Sequence, residues 1–423
     1  MKKSILFSII IFASISLFAQ GTVKVMTYNL LNFGNYPPYC TAENNPIEDK
    51  AEYLETIINN QNPDILAVCE LGKDPSSSYT TNYILGNSLN TNGETRWAAA
   101  NPTDISGSYL INGLFYDKNK FQLISQPVVD TDVRDINVYK LKSLQTTETT
   151  YLNVVVLHLK AGQDDQAARA DMVSELTSYF SNLGNSENFI IVGDFNVYTS
   201  SESAFQMLVN PSNPSYTFHD PINQLGNWNS NYSYRNYHTQ STREYSSNDC
   251  FSYGGMDDRF DFILISSSIK DGTANINYVD DSYWAVGQDG NHYNESINDG
   301  SNNTLPSNVI TALYNMSDHL PVVAEFQIDD NSSVISLSTT EDFYANVINP
   351  SDGIINYQLK TSLKNADIEV KIYTSVGQEV YSTNINTNES ETYTHDITSF
   401  ANGIYIMTFE GEGIYQSYKI VKK

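Results

Sequence analysis

The sequence predicts an α/β fold in which mixed sheets pack face to face with helices outside them, followed by a small all-β module. Three observations predict it. Strand-like and helix-like patterns alternate from Val23 to about Ile328, several strands between residues 110 and 157 follow one another with no helix between them, and roughly the last ninety residues hold only short strand-like runs. Alternation alone would suggest a doubly wound sheet, but consecutive strands call for antiparallel neighbours, so mixed sheets in a layered sandwich fit better.

The elements follow in order. Val23 to Tyr28 reads as a buried strand. Pro46 to Gln61 reads as a helix carrying Tyr53, Leu54, Ile57 and Ile58 on one face. Asn62-Pro63-Asp64 stops it, because the residue before a proline is pushed out of the α region. Ile65 to Cys69 is a second buried strand, and further strands are read at 110–116, 121–125, 138–144, 152–157, 189–192, 260–265 and 322–328. Asp165 to Leu183 has helical spacing at Ala168, Met172, Leu176, Tyr179 and Phe180, and Ser201 to Leu208 reads as a shorter helix with a serine available as N-cap. The Asn/Asp/Gly/Ser-rich stretch from Gly287 to Asn303 is expected to be a surface loop. In the tail, β patterns fall at 369–373, 379–382, 405–409 and 418–421, with turns at Ser375-Val376-Gly377 and Ala401-Asn402-Gly403.

Lys2-Lys3, the apolar run Ile5 to Phe18 and Ala19-Gln20 have the layout of a secretory signal peptide. That run is shorter than the roughly 20 residues of a membrane span, and no later stretch is apolar enough for one, so no stable transmembrane segment is expected. The formal net charge of −26 repels nucleic acid and anionic membranes at long range; a polyanionic substrate would have to be held by local cations and metal rather than by a basic face. Of the three cysteines, Cys69 sits in an apolar strand and reads as buried, while Cys40 and Cys250 lie in turn-rich loops, where they either pair or stay free.

Chemistry concentrates where apolar strands run into polar residues. Val25-Met26-Thr27-Tyr28 leads to Asn29, Ile65 to Cys69 leads to Glu70, Val154 to Leu157 leads to His158, and Ile190 to Gly193 leads to Asp194 and Asn196. Asp261 lies within an apolar strand, and Ser317-Asp318-His319 immediately precedes the last strand of this section. A buried carboxylate is costly unless partnered, so Asp261 needs a partner, and His319 is the natural candidate. Oxygen donors at strand ends suit magnesium, and hydrolysis of a phosphate ester needs such an ion together with a base and a charge or proton source.

The ordered series Met26-Thr27-Tyr28-Asn29-Leu30, Cys69-Glu70, His158, Gly193-Asp194-Phe195-Asn196, Asp261 and Ser317-Asp318-His319 resembles the endonuclease/exonuclease/phosphatase superfamily, with the DNase I-like fold. The resemblance covers roughly residues 23–328. It implies a four-layer α/β/β/α sandwich; Asn29, Glu70 and Asp318 around Mg2+ or Mn2+; Asp194 and Asn196 orienting the water or a second ion; His319 backed by Asp261 as base, with Asp194 the other candidate for removing the proton; and His158 at the phosphate or leaving oxygen. Lys160 is either a phosphate cation or a solvated lysine, and Arg169 either a site residue or the partner of a local acid. Calcium in the Gly287 to Asn303 loop has no support beyond that loop's composition.

In the tail, Val347-Ile348-Asn349-Pro350, Ile372-Tyr373 through Gly377-Gln378, Gly403-Ile404-Tyr405 and Lys419-Ile420-Val421-Lys422-Lys423 are similar to the C-terminal sorting domain of type IX secretion, with Ile-Asn-Pro where that family usually has Pro-Asn-Pro. The expected organisation is a signal peptide at 1–20, a catalytic domain at 21–330, a linker at 331–344 and a sorting β-sandwich at 345–423. The expected partners are a phosphodiester substrate and the type IX machinery, and the expected place is outside the outer membrane or on the cell surface.

Among phosphoesters, Val197-Tyr198 and Arg259-Phe260-Asp261 depart from the inositol polyphosphate phosphatase pattern, and a histidine at 158 is similar to secreted nucleases and bacterial sphingomyelinases. The leading expectation is a nuclease acting on extracellular DNA or RNA, against a lipid phosphodiesterase and, in another class, a catalytically silent surface binding protein. A lipase of this kind should expose an aromatic hairpin, for which Trp228, Tyr232, Tyr234 and Tyr237 are the candidates.

Overall fold

A computed structural model describes residues 21–73, 79–146, 149–183, 188–246 and 248–328, and in the tail 343–347, 353–361, 365–374, 377–387, 392–411 and 414–422. The leader read at 1–20 and most of the linker read at 331–344 lie outside the described residues. The chain divides into two compact units, Met1–Asp330 and Asn331–Lys423.

In the first unit the strands are β1 Gly21–Phe33, β2 Ile65–Gly72, β3 Trp97–Ala99, β4 Leu110–Asp117, β5 Phe121–Ser125, β6 Val128–Val129 and β7 Ile136–Ser143. They continue as β8 Tyr151–His158, β9 Phe189–Asp194, β10 Phe218–His219, β11 Asp261–Ser266, β12 Ile276–Tyr278, β13 Trp284–Ala285 and β14 Val322–Ile328. The helices are α1 Ile47–Gln61, α2 Tyr79–Ile84, α3 Gln166–Ser181, α4 Ser203–Val209, α5 Ser267–Lys270 and α6 Ser307–Met316. One sheet runs β12-β14-β1-β2-β4-β3 with β13 on β14; the other runs β10-β11-β9-β8-β7-β5 with β6 on β7. Only β1 with β2 and β8 with β9 pair in parallel among the described strands.

Successive side chains of a strand point to opposite faces, and that alternation builds the layers. Val23, Val25, Ile65, Ala67, Val154, Val156, Ile190, Val192, Ile263 and Ile265 form the core between the two sheets. The residues of opposite parity face outward. Met26, Tyr28, Leu66 and Val68 pack under α1 and α6, through Leu54, Ile57, Ile58, Ile310 and Leu313. Val155, Leu157, Ile191, Phe262 and Leu264 pack under α3 and α4, through Met172, Leu176, Phe180, Phe205 and Leu208. The result is helix, sheet, sheet, helix, the four-layer sandwich expected.

Several details differ from the sequence reading. The short helix at 203–209 is N-capped by Glu202 without a side-chain cap bond, not by a serine; that carboxylate is engaged by Arg169 and the Tyr198 N–H. Helix α6 went unread because the Asn/Gly-rich run before it draws the reading toward loop, although Val309, Ile310, Leu313 and Met316 are buried at helical spacing. The 287–303 stretch has no helix or strand and residues 298–301 and 303 are exposed, as expected of a surface loop, but Gln288, His292 and Ile297 are buried, Ile297 in the core under α6, so its first part is packed.

The second unit pairs β15 Phe343–Val347, β16 Ile354–Thr361 and β19 Thr392–Asp396 in one sheet, and β17 Asp367–Thr374, β18 Glu379–Asn386, β20 Gly403–Gly411 and β21 Ile414–Lys422 in another. Ile355 and Tyr357 from the first meet Val370, Ile372, Met407 and Phe409 from the second, which makes a sandwich. Strand β15 begins within the segment read as linker. With β16 and β19 it was unread, because polar residues interrupt its alternation.

Candidate active site

The stripe that fills the space between the sheets ends in polar residues. Counting by twos along β1, Val23, Val25 and Thr27 lead to Asn29; along β8, Val154 and Val156 lead to His158; along β9, Ile190 and Val192 lead to Asp194; and along β11, Ile265 and Ile263 lead back to Asp261. Strands β8 and β9 are parallel with His158 opposite Asp194, and β11 is antiparallel to β9 with Asp261 opposite Asp194. Ser317-Asp318-His319 precedes β14, which is antiparallel to β1, so it too reaches this end. Five of the six motifs therefore converge at one end of the sandwich.

Two local devices complete the approach. Opposite Asn112, β2 carries two residues between the pairs Val68–Gly113 and Leu71–Ile111, a β-bulge in which Glu70 takes φ +61°. The bulge turns Glu70 out of its alternation toward the site, and a non-glycine residue at this φ costs on the order of 1 to 3 kcal/mol, held here by the surrounding sheet. At Gly193, φ is +129° and a Cβ would stand 1.9 Å from the Leu157 carbonyl oxygen of the neighbouring strand, so only glycine brings Asp194 to this place.

Asn29 links the sheets: its Nδ2 donates to Glu70 Oε1 at 3.0 Å and to Asp194 Oδ2 at 3.1 Å, while its Oδ1 accepts from the Leu31 N–H at 2.9 Å. Glu70 Oε2 accepts from the Asn32 N–H at 2.9 Å. Asp194 Oδ1 accepts from the Asn196 N–H at 2.9 Å, and Asn196 Nδ2 donates to the Leu159 carbonyl at 3.2 Å. His158 Nε2 lies 3.5 Å from Asp194 Oδ2 and 3.8 Å from Glu70 Oε1. His319 Nδ1 donates to Asp261 Oδ2 at 2.7 Å, and its Nε2 stands 2.7 Å from the Gln240 side-chain amide and 3.8 Å from Asp194 Oδ2. Asp318 Oδ2 accepts from the Ser252 N–H at 3.0 Å. The structure thus brings Asn29, Glu70, His158, Asp194, Asp261 and His319 into one network, with Asp318 adjoining it through Gln240, whose Nε2 is 3.4 Å from Asp318 Oδ2. Asn196 stands behind Asp194 and does not reach the other side chains.

Most of the site's side chains are buried, and that sets their charges. Burial pushes the Asp194 carboxyl up to about 7, with Asp261 and Glu70 adding to the rise against the opposing pull of His319. Burial disfavours a charged His319, but Asp261 and Asp194 outweigh it and hold the imidazole well above its ordinary range. For His158, burial and then the nearby positive Arg134 and His319 press the pKa well below the ordinary value, so this ring is neutral. The two histidines are therefore set apart, one charged and one neutral.

The other sequence candidates fall outside. Lys160 is half exposed and donates to Asp165 Oδ2 and the Ala161 carbonyl. Arg169 is fully buried, paired with Glu202 at 2.8 Å and bonded to the Lys160 and Gly162 carbonyls, which fastens the loop after His158 to α3. Asp289 in the 287–303 stretch spends its carboxylate on His292 and the Asn291 N–H.

Sequence reasoning missed three residues. Arg134 precedes β7 in a stretch without a motif, yet it acts electrostatically on Glu70, Asp194 and His158, and its Nε and Nη1 have no hydrogen-bond partner among the described residues. Thr239 donates to Asp261 Oδ2 at 2.7 Å, and Gln240 meets His319 as described above. Both lie in a Tyr/Asn/Ser-rich run whose composition signals only a loop.

The layered fold is that of the DNase I-like hydrolases, which generally act on phosphoesters. The family pattern described as "Endonuclease/Exonuclease/phosphatase family" matches residues 26–319, and the chain belongs to that family. The "Secretion system C-terminal sorting domain" matches residues 349–423, the sorting tail of type IX secretion, which indicates a secreted or surface location. No curated protein matches the chain by sequence. Similar solved structures include the human nocturnin catalytic domain with bound sulfate, at 16% identity over 73% of this chain and 95% of that one, TM-score 0.44. A Bacteroides thetaiotaomicron endonuclease/exonuclease/phosphatase family protein is 13% identical over 74% and 99%, TM-score 0.46. D. rerio TDP2 complexed with single-strand DNA product is 12% identical over 72% and 99%, TM-score 0.46.

Proposed function

We propose that the protein is an exported, divalent-metal-dependent phosphodiesterase that cuts extracellular DNA or RNA at the centre formed by Asn29, Glu70, His158, Asp194, Asp261, Asp318 and His319. The observation that carries the reading is the buried Asp261–His319 pair, 2.7 Å apart, aimed across a gap of 3.8 Å at Asp194.

The fit to an ion rests on donor chemistry. Buried Asp318 Oδ1 has no hydrogen-bond partner among the described residues, and with Glu70 and Asn29 it offers hard oxygen donors. Magnesium or manganese needs only one or two carboxylates, waters and the substrate's own phosphate, which is the kind of donor set these residues could supply. Asn29 now turns its amide nitrogen to the carboxylates, so its oxygen joins the donor set only if the amide rotates and releases Leu31. The bound ion would neutralise phosphate oxygens and acidify water.

The protein's own groups supply the remainder. Asp194, buried with a pKa about 7, is the acceptor for the attacking water's proton, since a base is most effective near the working pH. His319, held positive, faces the negative phosphate; of the two candidates for the base left open by the sequence, Asp194 or His319, this favours Asp194. Neutral His158, near Glu70, and the Arg134 guanidinium, whose Nε and Nη1 have no hydrogen-bond partner among the described residues, would meet charge that develops on the phosphate and leaving oxygen.

Nucleic acid is placed ahead of lipid because Trp228, the largest of the hairpin candidates, is fully buried with its indole N–H on the Gln224 carbonyl, and the Tyr234 hydroxyl is tied to the Leu225 carbonyl. Tyr232, 59% exposed, and Leu225, 44% exposed, remain as the side chains that a membrane-contacting hairpin would use. The test is a panel with magnesium or manganese: plasmid DNA, single-stranded DNA, RNA and sphingomyelin. Cleavage of nucleic acid is expected. Hydrolysis of sphingomyelin without it would transfer the site to lipid, and no hydrolysis of any substrate would favour a surface binding protein.

A further inference from the structure

One partner of Asp318 lies in a segment outside every helix and strand, where the Ser241 hydroxyl also donates to the Ser252 carbonyl at 2.7 Å. That partner, the Ser252 N–H that orients Oδ2, belongs to residues 248–255. Two residues before Ser252, Cys250 forms a disulfide with Cys40, across a sequence separation of 210. Both cysteines are buried in a small apolar cluster with Leu31 and Phe251. The Phe251 ring lies 3.6 Å under the Arg243 guanidinium, whose Nη2 donates to the Tyr314 carbonyl near the end of α6. From the other side, the buried ammonium of Lys50 donates to the Met316 carbonyl at 2.5 Å. Thr242 Oγ1 donates to the Ser317 carbonyl at 2.8 Å, and the Thr242 N–H to the Asp318 carbonyl at 3.0 Å. Cations placed on the last carbonyls of a helix stabilise its end, and α6 ends at the residue before Ser317-Asp318-His319.

We propose that the Cys40–Cys250 disulfide is a positioning element for the metal carboxylate Asp318, so that the oxidised and reduced forms of the folded protein differ in divalent-ion affinity. This rests on the reading of Asp318 as a metal ligand. The disulfide fixes the chain at Cys250, Phe251 fills the space beneath Arg243, and Ser252 is thereby held with its N–H against Oδ2. That contact leaves Oδ1, which has no protein partner among the described residues, as the free donor. Groups that orient a ligand typically account for ten- to a hundred-fold in metal affinity. The pair forms by thiol–disulfide exchange: Cys40 and Cys250 give up two electrons and two protons to an external disulfide, which leaves as two thiols. Such oxidants belong to compartments beyond the cytosol, so a chain bearing a secretion sorting tail would reach full ion affinity only after export. Cys69, free and buried in β2, takes no part.

The experiment compares Mn2+ binding by titration calorimetry in three samples: the oxidised chain, the same chain reduced with Cys40 and Cys250 alkylated, and the Cys40→Ser/Cys250→Ser variant. Circular dichroism is recorded on each. The expected result is a ten- to hundred-fold rise in Kd in both thiol-blocked samples, with the fold retained. Equal Kd values overturn the proposal, and so does unfolding on reduction, which would make the disulfide a fold staple; if only the double variant fails to fold, the reduced chain decides. Asp318→Asn in the oxidised chain separates the two readings. If it leaves Kd unchanged, or if the oxidised chain binds no Mn2+, the metal reading of Asp318 fails and the disulfide's role falls with it.

Discussion

Replacing Asp261 by Asn tests the Asp261–His319 pair with little change of shape. Asp261 is fully buried, and its Oδ2 receives both the His319 Nδ1–H at 2.7 Å and the Thr239 hydroxyl at 2.7 Å. An asparagine of the same outline can accept one of these bonds but has no charge to hold the imidazole positive. It can also present its NH2 and select the wrong tautomer. Removing one group aimed at charge that develops in the transition state costs about 10² to 10³ in kcat. The expectation for Asp261→Asn is therefore a fall in kcat of about 10² to 10³, or roughly 3 to 4 kcal/mol of barrier, with KM within a few-fold of wild type. Initial rates on plasmid DNA and on a small aryl phosphodiester at saturating magnesium give both parameters, and a thermal melt checks the fold. A folded variant that keeps more than about a tenth of wild-type kcat would refute the role given to the pair.

Two further predictions concern the scaffold. Gly193→Ala should cost about 4 kcal/mol or more, because its Cβ would meet the Leu157 backbone carbonyl at 1.9 Å and neither strand can yield; a melting temperature less than about 8 °C below wild type would contradict this. His238 is buried between the Trp228 and Met256 carbonyls, and burial lowers its pKa to about 4. Because the unfolded chain takes up its proton near 6.5 and the folded chain only near 4, the folded state is fully favoured above 6.5 and loses up to about 3 kcal/mol as pH falls through that window. Urea titrations at pH 7 and pH 4.5 should show a loss that shrinks in His238→Gln, and an undiminished loss in the variant would assign the acid sensitivity elsewhere.

Much of this site was legible because it obeys the alternation that builds the core. Asn29, His158, Asp194 and Asp261 are inward positions on four strands whose neighbouring inward residues, Thr27 apart, are apolar, so the strand ends gave their address. Glu70 was read from its motif, but its orientation was not, since the bulge depends on pairing with β4, more than forty residues later. Arg134, Thr239 and Gln240 were invisible for a related reason: each reaches the site from a loop, and nothing local in a loop records what it will face. Arg169 was ambiguous until its burial against Glu202 gave it a structural task. Helix α6 carried a readable stripe at Val309, Ile310, Leu313 and Met316 that the polar run before it obscured. The disulfide was one of two open readings, because loop composition does not fix the approach of residues 210 apart, and it joins Cys40 to Cys250.

The most direct test of the whole account is the rate of plasmid nicking by the purified, oxidised chain with magnesium, beside Asp194→Ala and His319→Ala. The account predicts measurable cleavage that chelation abolishes and a fall of at least about a hundred-fold in each variant. Cleavage that persists unchanged in both variants, or that never appears while another phosphoester is hydrolysed, would contradict it.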